Sequence, residues 1–266
     1  ALKQFLFLGQ GDFVSSFVES LDVEFRGRTS TAGIYNHTLA SLLEGSLRAT
    51  NARYLPNYVL RNLGVQLMID EKDADRYWMG PPSKSKLDDL TPWVDNEASI
   101  QDPWDYICID YKVNSPLDAI VHDSAMRTYR HVFLFLFRIK RVEWMLNNSW
   151  RQSTALNHAI LVETKAGGAD APAISEAAEH SSYLLRRISS TRQTMLHFIS
   201  NLQNYLMFEV LEGGWEGLER SVEKAKSLDD VIIAHNSYLS EIVEKSLLGD
   251  KGSGEGPTLE TLLQKL

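Results

Sequence analysis

Val132-Phe133-Leu134-Phe135-Leu136-Phe137 is an apolar run closed in by Arg130 and Arg138. A helix that is apolar on every side has no face to offer water, so it must be surrounded by other helices. The run is far short of the roughly 20 residues that span a bilayer. It lies inside a longer piece, Asp105 to Trp150, which passes from the alternating Ile107, Ile109, Tyr111 and Val113 through an Asn114-Ser115-Pro116 turn into one long helix. That helix, capped by Asp123 or Ser124 and running past Trp150 toward Leu161, is the element about which the rest has to be arranged.

Helical periodicity supplies its neighbours. A second long helix is predicted over about 173–211, with Leu184, Leu185, Ile188, Met195, Phe198, Ile199, Leu202, Tyr205 and Leu206 on its apolar side. Gly167 to Pro172 separates the two, which should pack antiparallel, and Gly213-Gly214 should end the second. Ser227 and Asp230 form a capping box for a further helix bearing Ile232, Ile233 and Leu239. Toward the start, residues 1–8 read as a helix end and Gly9-Gln10-Gly11 as a glycine hinge. Asp12 is then expected to cap a helix carrying Phe13, Phe17 and Leu21. A third helix is predicted from Tyr35 to Thr50 and a helical turn after Pro56. Val65, Leu67 and Ile69 alternate with polar or flexible residues in the period of a half-buried strand, whose natural partner is Tyr106 to Val113.

The expected fold class is therefore mainly α, with successive small helical bundles and a minor two-stranded β element. Residues 1–121 form the first bundle, with the strand pair and an acidic insertion loop at 70–104. Residues 122–266 form the second, which ends in a helix that has barely begun at Pro257. Since Ala1 stands where an initiator methionine would be, the chain is expected to be a piece of a longer one.

With 266 residues, 44% of them hydrophobic, there is enough apolar material for a sizeable core. The net charge of -8 argues against nucleic acid as a partner, because duplex binding needs clustered Lys and Arg to displace counterions. Cys108 is the one cysteine, which excludes an internal disulfide and a multi-thiolate zinc site. Partners should be protein surfaces or small molecules.

No motif compels catalysis. Gly9 and Gly11 make a partial dinucleotide fingerprint, but Val14 stands where a third glycine is needed and no strand precedes. His122-Asp123-Ser124 holds the residue types of a hydrolytic triad, yet adjacent residues at a helix start point apart. No two histidines stand four apart on a helix to share a metal, and Asp70, Asp73 and Asp75 lack calcium-loop spacing. The expectation is no enzyme, no metal and no cofactor. The one charge feature against the acidic background is Arg138, Lys140 and Arg141 with Arg186, Arg187 and Arg192, which can be a solvated face, pair with local carboxylates, or dock an acidic protein. Tyr54, Trp78 and Trp93, in loops, are candidate interface aromatics; Trp144 and Trp215 read as core.

Leu8-Gly9-Gln10-Gly11-Asp12-Phe13, Arg48-Ala49-Thr50-Asn51-Ala52, Asp110-Tyr111-Lys112-Val113-Asn114-Ser115-Pro116-Leu117, Phe135 to Met145, Phe208-Glu209-Val210-Leu211-Glu212 and Asp229 to His235 resemble γ-tubulin complex proteins, component 3 most of all. The resemblance covers nearly the whole chain, in order. It implies a helical, non-enzymatic C-terminal half that holds γ-tubulin for microtubule nucleation, with other complex components contacted through an N-terminal half absent here. It implies a place in the cytoplasm and cytoskeleton, at a microtubule organising centre or spindle pole. The segments 70–104 and 165–180 are longer than the family pattern. Polar positions in the matched motifs, with Arg53 directly after one and two arginines of the second long helix, are the candidate contacts: Gln10, Asp12, Asn51, Arg53, Tyr111, Lys112, Arg186 and Arg192. The other readings are a helical scaffold for a different protein and an enzyme with a site between bundles.

Overall fold

A computed structural model describes residues 2–26, 34–67, 103–166, 171–246 and 248. In order these form α1 (Leu2–Phe5), α2 (Gly11–Phe25), α3 (Asn36–Ala49), a 3-10 turn (Asn51–Tyr54), α4 (Asn57–Arg61), β1 (Leu63–Leu67), β2 (Ile107–Tyr111), α5 (Asp123–Ala166), α6 (Ala171–Asn204), a π-helical stretch (Tyr205–Glu212), α7 (Gly213–Lys224) and α8 (Leu228–Lys245). The mainly α class with a two-stranded sheet is what the periodicity predicts. The acidic loop at 70–102, Ile69, Gly167 to Asp170 and the linker and helix start from 249 onward lie outside the described residues.

The chain divides into two compact units, Ala1–Arg138 with Leu206–Leu266, and Ile139–Tyr205. In the larger unit the apolar run of α5 is the core: Val132, Phe133, Leu134, Leu136 and Phe137 are all buried. Aromatic rings link it to the amino-terminal helices. Phe5 meets Phe13 edge-on at 5.2 Å, Phe13 stacks on Phe17 at 5.7 Å, and Phe17 reaches Phe137 at 6.2 Å. Trp104 extends the series, lying 6.0 Å from Phe137 and 5.4 Å from Phe25. Each such ring removes a large apolar area from water, worth about 1.5–3 kcal/mol.

The glycine hinge has a specific geometry. A Cβ on Gly9 would stand 2.9 Å from the Lys3 carbonyl oxygen, so only glycine lets the chain turn back on α1 there. The preceding Leu8 takes a left-handed φ of 54°, and its almost complete burial holds it in place. Nothing crowds Gly11.

β1 and β2 pair antiparallel in the register Leu63↔Tyr111, Val65↔Ile109 and Leu67↔Ile107. Val65 and Leu67 are buried and Gln66 is not, the expected alternation. In β2 the alternation fails, because Cys108 is buried along with Ile107 and Ile109. Burial pushes the Cys108 thiol up to about 12, which leaves it an inert apolar side chain.

Three local expectations need correcting. Gly213-Gly214 does not end a helix: the backbone stays helical from α6 through the π stretch into α7. The cost of two glycines is accepted because a Cβ on Gly214 would lie 3.1 Å from the Tyr238 ring, so the glycine admits close packing of α8. Trp104, assigned by sequence to the loop, is a buried core residue. Asp12 does not cap α2. That position is Gln10, which makes no side-chain capping bond. The capping box of α8 is present as expected, with the Asp230 amide donating to Ser227 Oγ at 3.2 Å and the Asp230 carboxylate accepting from the Ser227 amide at 3.0 Å.

Gly9→Ala should lower unfolding stability by about 1–3 kcal/mol in urea titrations, the usual range for a backbone clash, whereas Gly11→Ala should be neutral or raise it by up to about 1 kcal/mol. Equal effects of the two would remove the hinge argument.

Candidate functional site

Asp12 stands in the first turn of α2 and acts across the fold. Its Oδ1 accepts the Phe13 amide at 2.8 Å, and its Oδ2 accepts the Asn51 amide at 2.9 Å. The bond from Asn51, aided by the Phe13 amide and the Gln10 side chain, holds the Asp12 carboxyl below its usual range. The carboxylate therefore serves the 3-10 turn Asn51–Tyr54, whose first amide would otherwise have no partner. Gln10, Asp12 and Asn51 are thereby brought together.

From that anchor the chain presents a strip of exposed side chains. Ala52 is fully buried and fixes the turn, while Arg53 and Tyr54 project outward, Tyr54 with 73% of its surface exposed. The Arg53 guanidinium lies 4.6 Å over the Tyr54 ring centroid and hydrogen-bonds the Tyr54 hydroxyl, so the two form one preset unit. Tyr58 and Arg61 on α4 follow, Tyr58 at 69% exposed. The Lys112 amide donates to the Asn62 carbonyl at 2.8 Å, which sets exposed Lys112 beside the end of α4. Tyr111, the last residue of β2, is half-buried and pairs with Leu63.

Asn51 to Gln66 contains no carboxylate, in a chain of net charge -8. The strip of Arg53, Tyr54, Tyr58, Arg61 and Lys112 is thus basic and aromatic, the composition that anchors protein interfaces. Tyr58 and Arg61 are not among the sequence candidates; the signal that finds them is a carboxylate-free stretch carrying two Tyr and two Arg around a proline.

Arg186 and Arg192 belong to α6 in the smaller unit, Arg186 exposed and Arg192 half-buried. There Lys140, one of the basic residues of α5, is taken up locally. Its Nζ donates to Glu143 at 2.9 Å and to Gln203 at 3.2 Å, and Gln203 Nε2 donates to Glu143 at 2.8 Å, a polar clasp between α5 and α6. Residues 140 and 143 of α5 thus lie beside residue 203 of α6.

The groups that would signal chemistry are arranged otherwise. His235 is buried, but its Nε2 lies 3.0 Å from the Tyr129 hydroxyl, not from a carboxylate. Burial pushes the Tyr129 and Tyr238 phenols well up and the His235 imidazole down, so all three stay neutral near pH 7. Among the described residues no group of three or more His, Cys, Asp or Glu could hold a metal ion, and no helix is long and apolar enough to cross a membrane.

Compared with known proteins, the whole chain, residues 1–266, matches the family described as Gamma tubulin complex component C-terminal. It is 30% identical over 250 residues to the spindle pole body component alp6 of Schizosaccharomyces pombe, covering 94% of this chain and 25% of that protein. It is 31% identical over 259 residues to Gamma-tubulin complex component 3 of Arabidopsis thaliana, 94% of this chain and 26% of the relative. With Gamma-tubulin complex component 3 of Homo sapiens the identity is 31% over 249 residues, 93% of this chain and 22% of the relative. The chain therefore spans about a quarter of the length of these relatives.

Two outcomes follow from the paired groups. Asp12→Ala should speed amide hydrogen exchange at Asn51 and Phe13 while leaving α8 unchanged. Because the folded Asp12 pKa is depressed, its contribution is present above the ordinary carboxylate value and is lost as pH falls through the folded one. His235 has the opposite chemistry and the same direction. Below about pH 6.5 the unfolded chain gains a proton that the folded one does not, so stability is full above that pH and declines below it. The urea midpoint should be lower at pH 5.5 than at pH 7.5, and His235→Gln should flatten that difference.

Proposed function

The chain belongs to the Gamma tubulin complex component C-terminal family, and on that premise we propose that it holds a γ-tubulin molecule as a non-catalytic adaptor, in the service of microtubule nucleation at an organising centre or spindle pole. The observation that carries this reading is the basic and aromatic strip of Arg53, Tyr54, Tyr58, Arg61 and Lys112 in an acidic chain. Tyr supplies large contact area at low conformational cost, and the rotamer entropy of Arg53 is partly lost beforehand because it already lies against Tyr54. Gln10, Asp12 and Asn51 then act from behind the strip, fixing the turn that presents it, while Tyr111 and Lys112 extend it along the sheet edge. Contacts with other complex components belong to parts of the longer relatives outside this chain.

Purified chain should retain γ-tubulin in a pull-down at about 0.1 M salt, where charge pairs over roughly 10 Å still act. Arg53→Glu with Tyr58→Ala should weaken binding at least tenfold, about 1.4 kcal/mol, and Lys224→Glu on the exposed face of α7 should not. Failure of the unaltered chain to bind would overturn the adaptor reading; unchanged binding by the double variant would move the interface off the strip.

A further inference from the structure

α6 carries two apolar seams, and the half-buried one runs in line with its contact to α5. Within the smaller unit, Leu185, Leu196 and Ile199 are half-buried in line with Gln203, which bonds Lys140 and Glu143 of α5. A second set, Leu184, Ile188, Met195 and Phe198, lies open, at 43%, 52%, 53% and 54% exposure. With Thr191 these positions follow one another at alternating steps of four and three residues, the spacing of a coiled-coil seam that takes knobs from one facing helix.

Charge decides what that helix must look like. From His180 to Phe208 the sequence holds Arg186, Arg187 and Arg192 and no carboxylate. On the seam's heptad Arg187 and Arg192 take the two flanking positions, one on each side, where partner choice is set by charge. Arg187 is exposed, its guanidinium 6.0 Å from the exposed Tyr183 ring. A second copy laid parallel and in register on the seam would bring Arg187 against Arg192, and in no register does this stretch of a second copy offer either arginine a carboxylate, so charge does not favour self-pairing.

We propose that the open seam of α6 is a docking site for an amphipathic helix of a protein partner whose apolar stripe is flanked by Glu or Asp. The site lies wholly in the smaller unit and stands independently of the γ-tubulin reading. Docking covers Leu184, Ile188, Met195 and Phe198, and sets the partner's carboxylates against Arg187 and Arg192.

The test uses the full 266-residue chain and a dye-labelled synthetic peptide of about 24 residues, with Leu at both seam positions of each heptad and Glu at both flanking positions, whose like charges keep it monomeric. A twin peptide carries Lys at the flanks. Fluorescence anisotropy should show the Glu peptide binding at least tenfold more tightly than the Lys peptide. Ile188→Asp or Phe198→Asp, both at exposed positions, should abolish that binding with the circular dichroism spectrum unchanged. Arg187→Glu with Arg192→Glu should reverse the preference toward the Lys peptide. Equal binding of the two peptides by the unaltered chain, or binding of neither, overturns the proposal. So does a dimer in sedimentation that Ile188→Asp dissociates, since the seam is then occupied by a second copy.

Discussion

Phe17 touches Phe137, and through that contact the amino-terminal helices are fastened to the apolar middle of α5. Of the run from Val132 to Phe137 only Phe135 keeps part of its surface exposed, and α2, with Phe13, Phe17 and Leu21 buried, reaches the run at Phe137 through Phe17. Ring pairs of this kind add about 0.5–1.5 kcal/mol each beyond the area they bury. The consequence reaches the surface. α2 also packs along α3, whose end leads into the turn, so the Asp12 carboxylate stands within reach of the Asn51 amide and the turn bearing Arg53 and Tyr54 is fixed. The proposed interface is thus a product of the core.

How much of this can be read from the residues follows the range of each interaction. Helices α2, α3, α5 and α8 are legible because apolar side chains recur every three or four residues, and the capping box is legible because Ser227 and Asp230 sit three apart. The strand pair is legible from its two-residue period, although Cys108 breaks the burial pattern expected of β2. Long-range pairing hides. Asp12 reads locally as a cap, but its partner lies 39 residues away. His235 and Tyr129 are 106 residues apart. Gly213-Gly214 reads as a stop because intrinsic propensity is local, whereas the close approach of Tyr238 to Gly214 is tertiary.

The candidate site divides along the same line. Asp12 and Asn51 stand within matched motifs and Arg53 directly follows one, and their grouping rests on the amide bond to Asp12. Tyr58 and Arg61 were visible as residue types but not as exposed ones, since burial depends on what packs behind α4. On the smaller unit the apolar residues of α6 read as a single stripe in sequence; only the fold separates those facing α5 from the open set that includes Ile188 and Phe198. In both units the exposed basic surface stands out because the chain as a whole is acidic, which suits partners recognised by charge and by aromatic or apolar anchors.

γ-Tubulin held at the proposed interface would cover the surface seated on the Asp12 bond. Amide hydrogen–deuterium exchange of the chain, alone and with saturating γ-tubulin, tests it directly, because exchange reports protection segment by segment. New protection is expected over 51–62 and at Tyr111 and Lys112, with the core of α5 unchanged. Protection confined to other segments, with 51–62 exchanging as in the free chain, would contradict it.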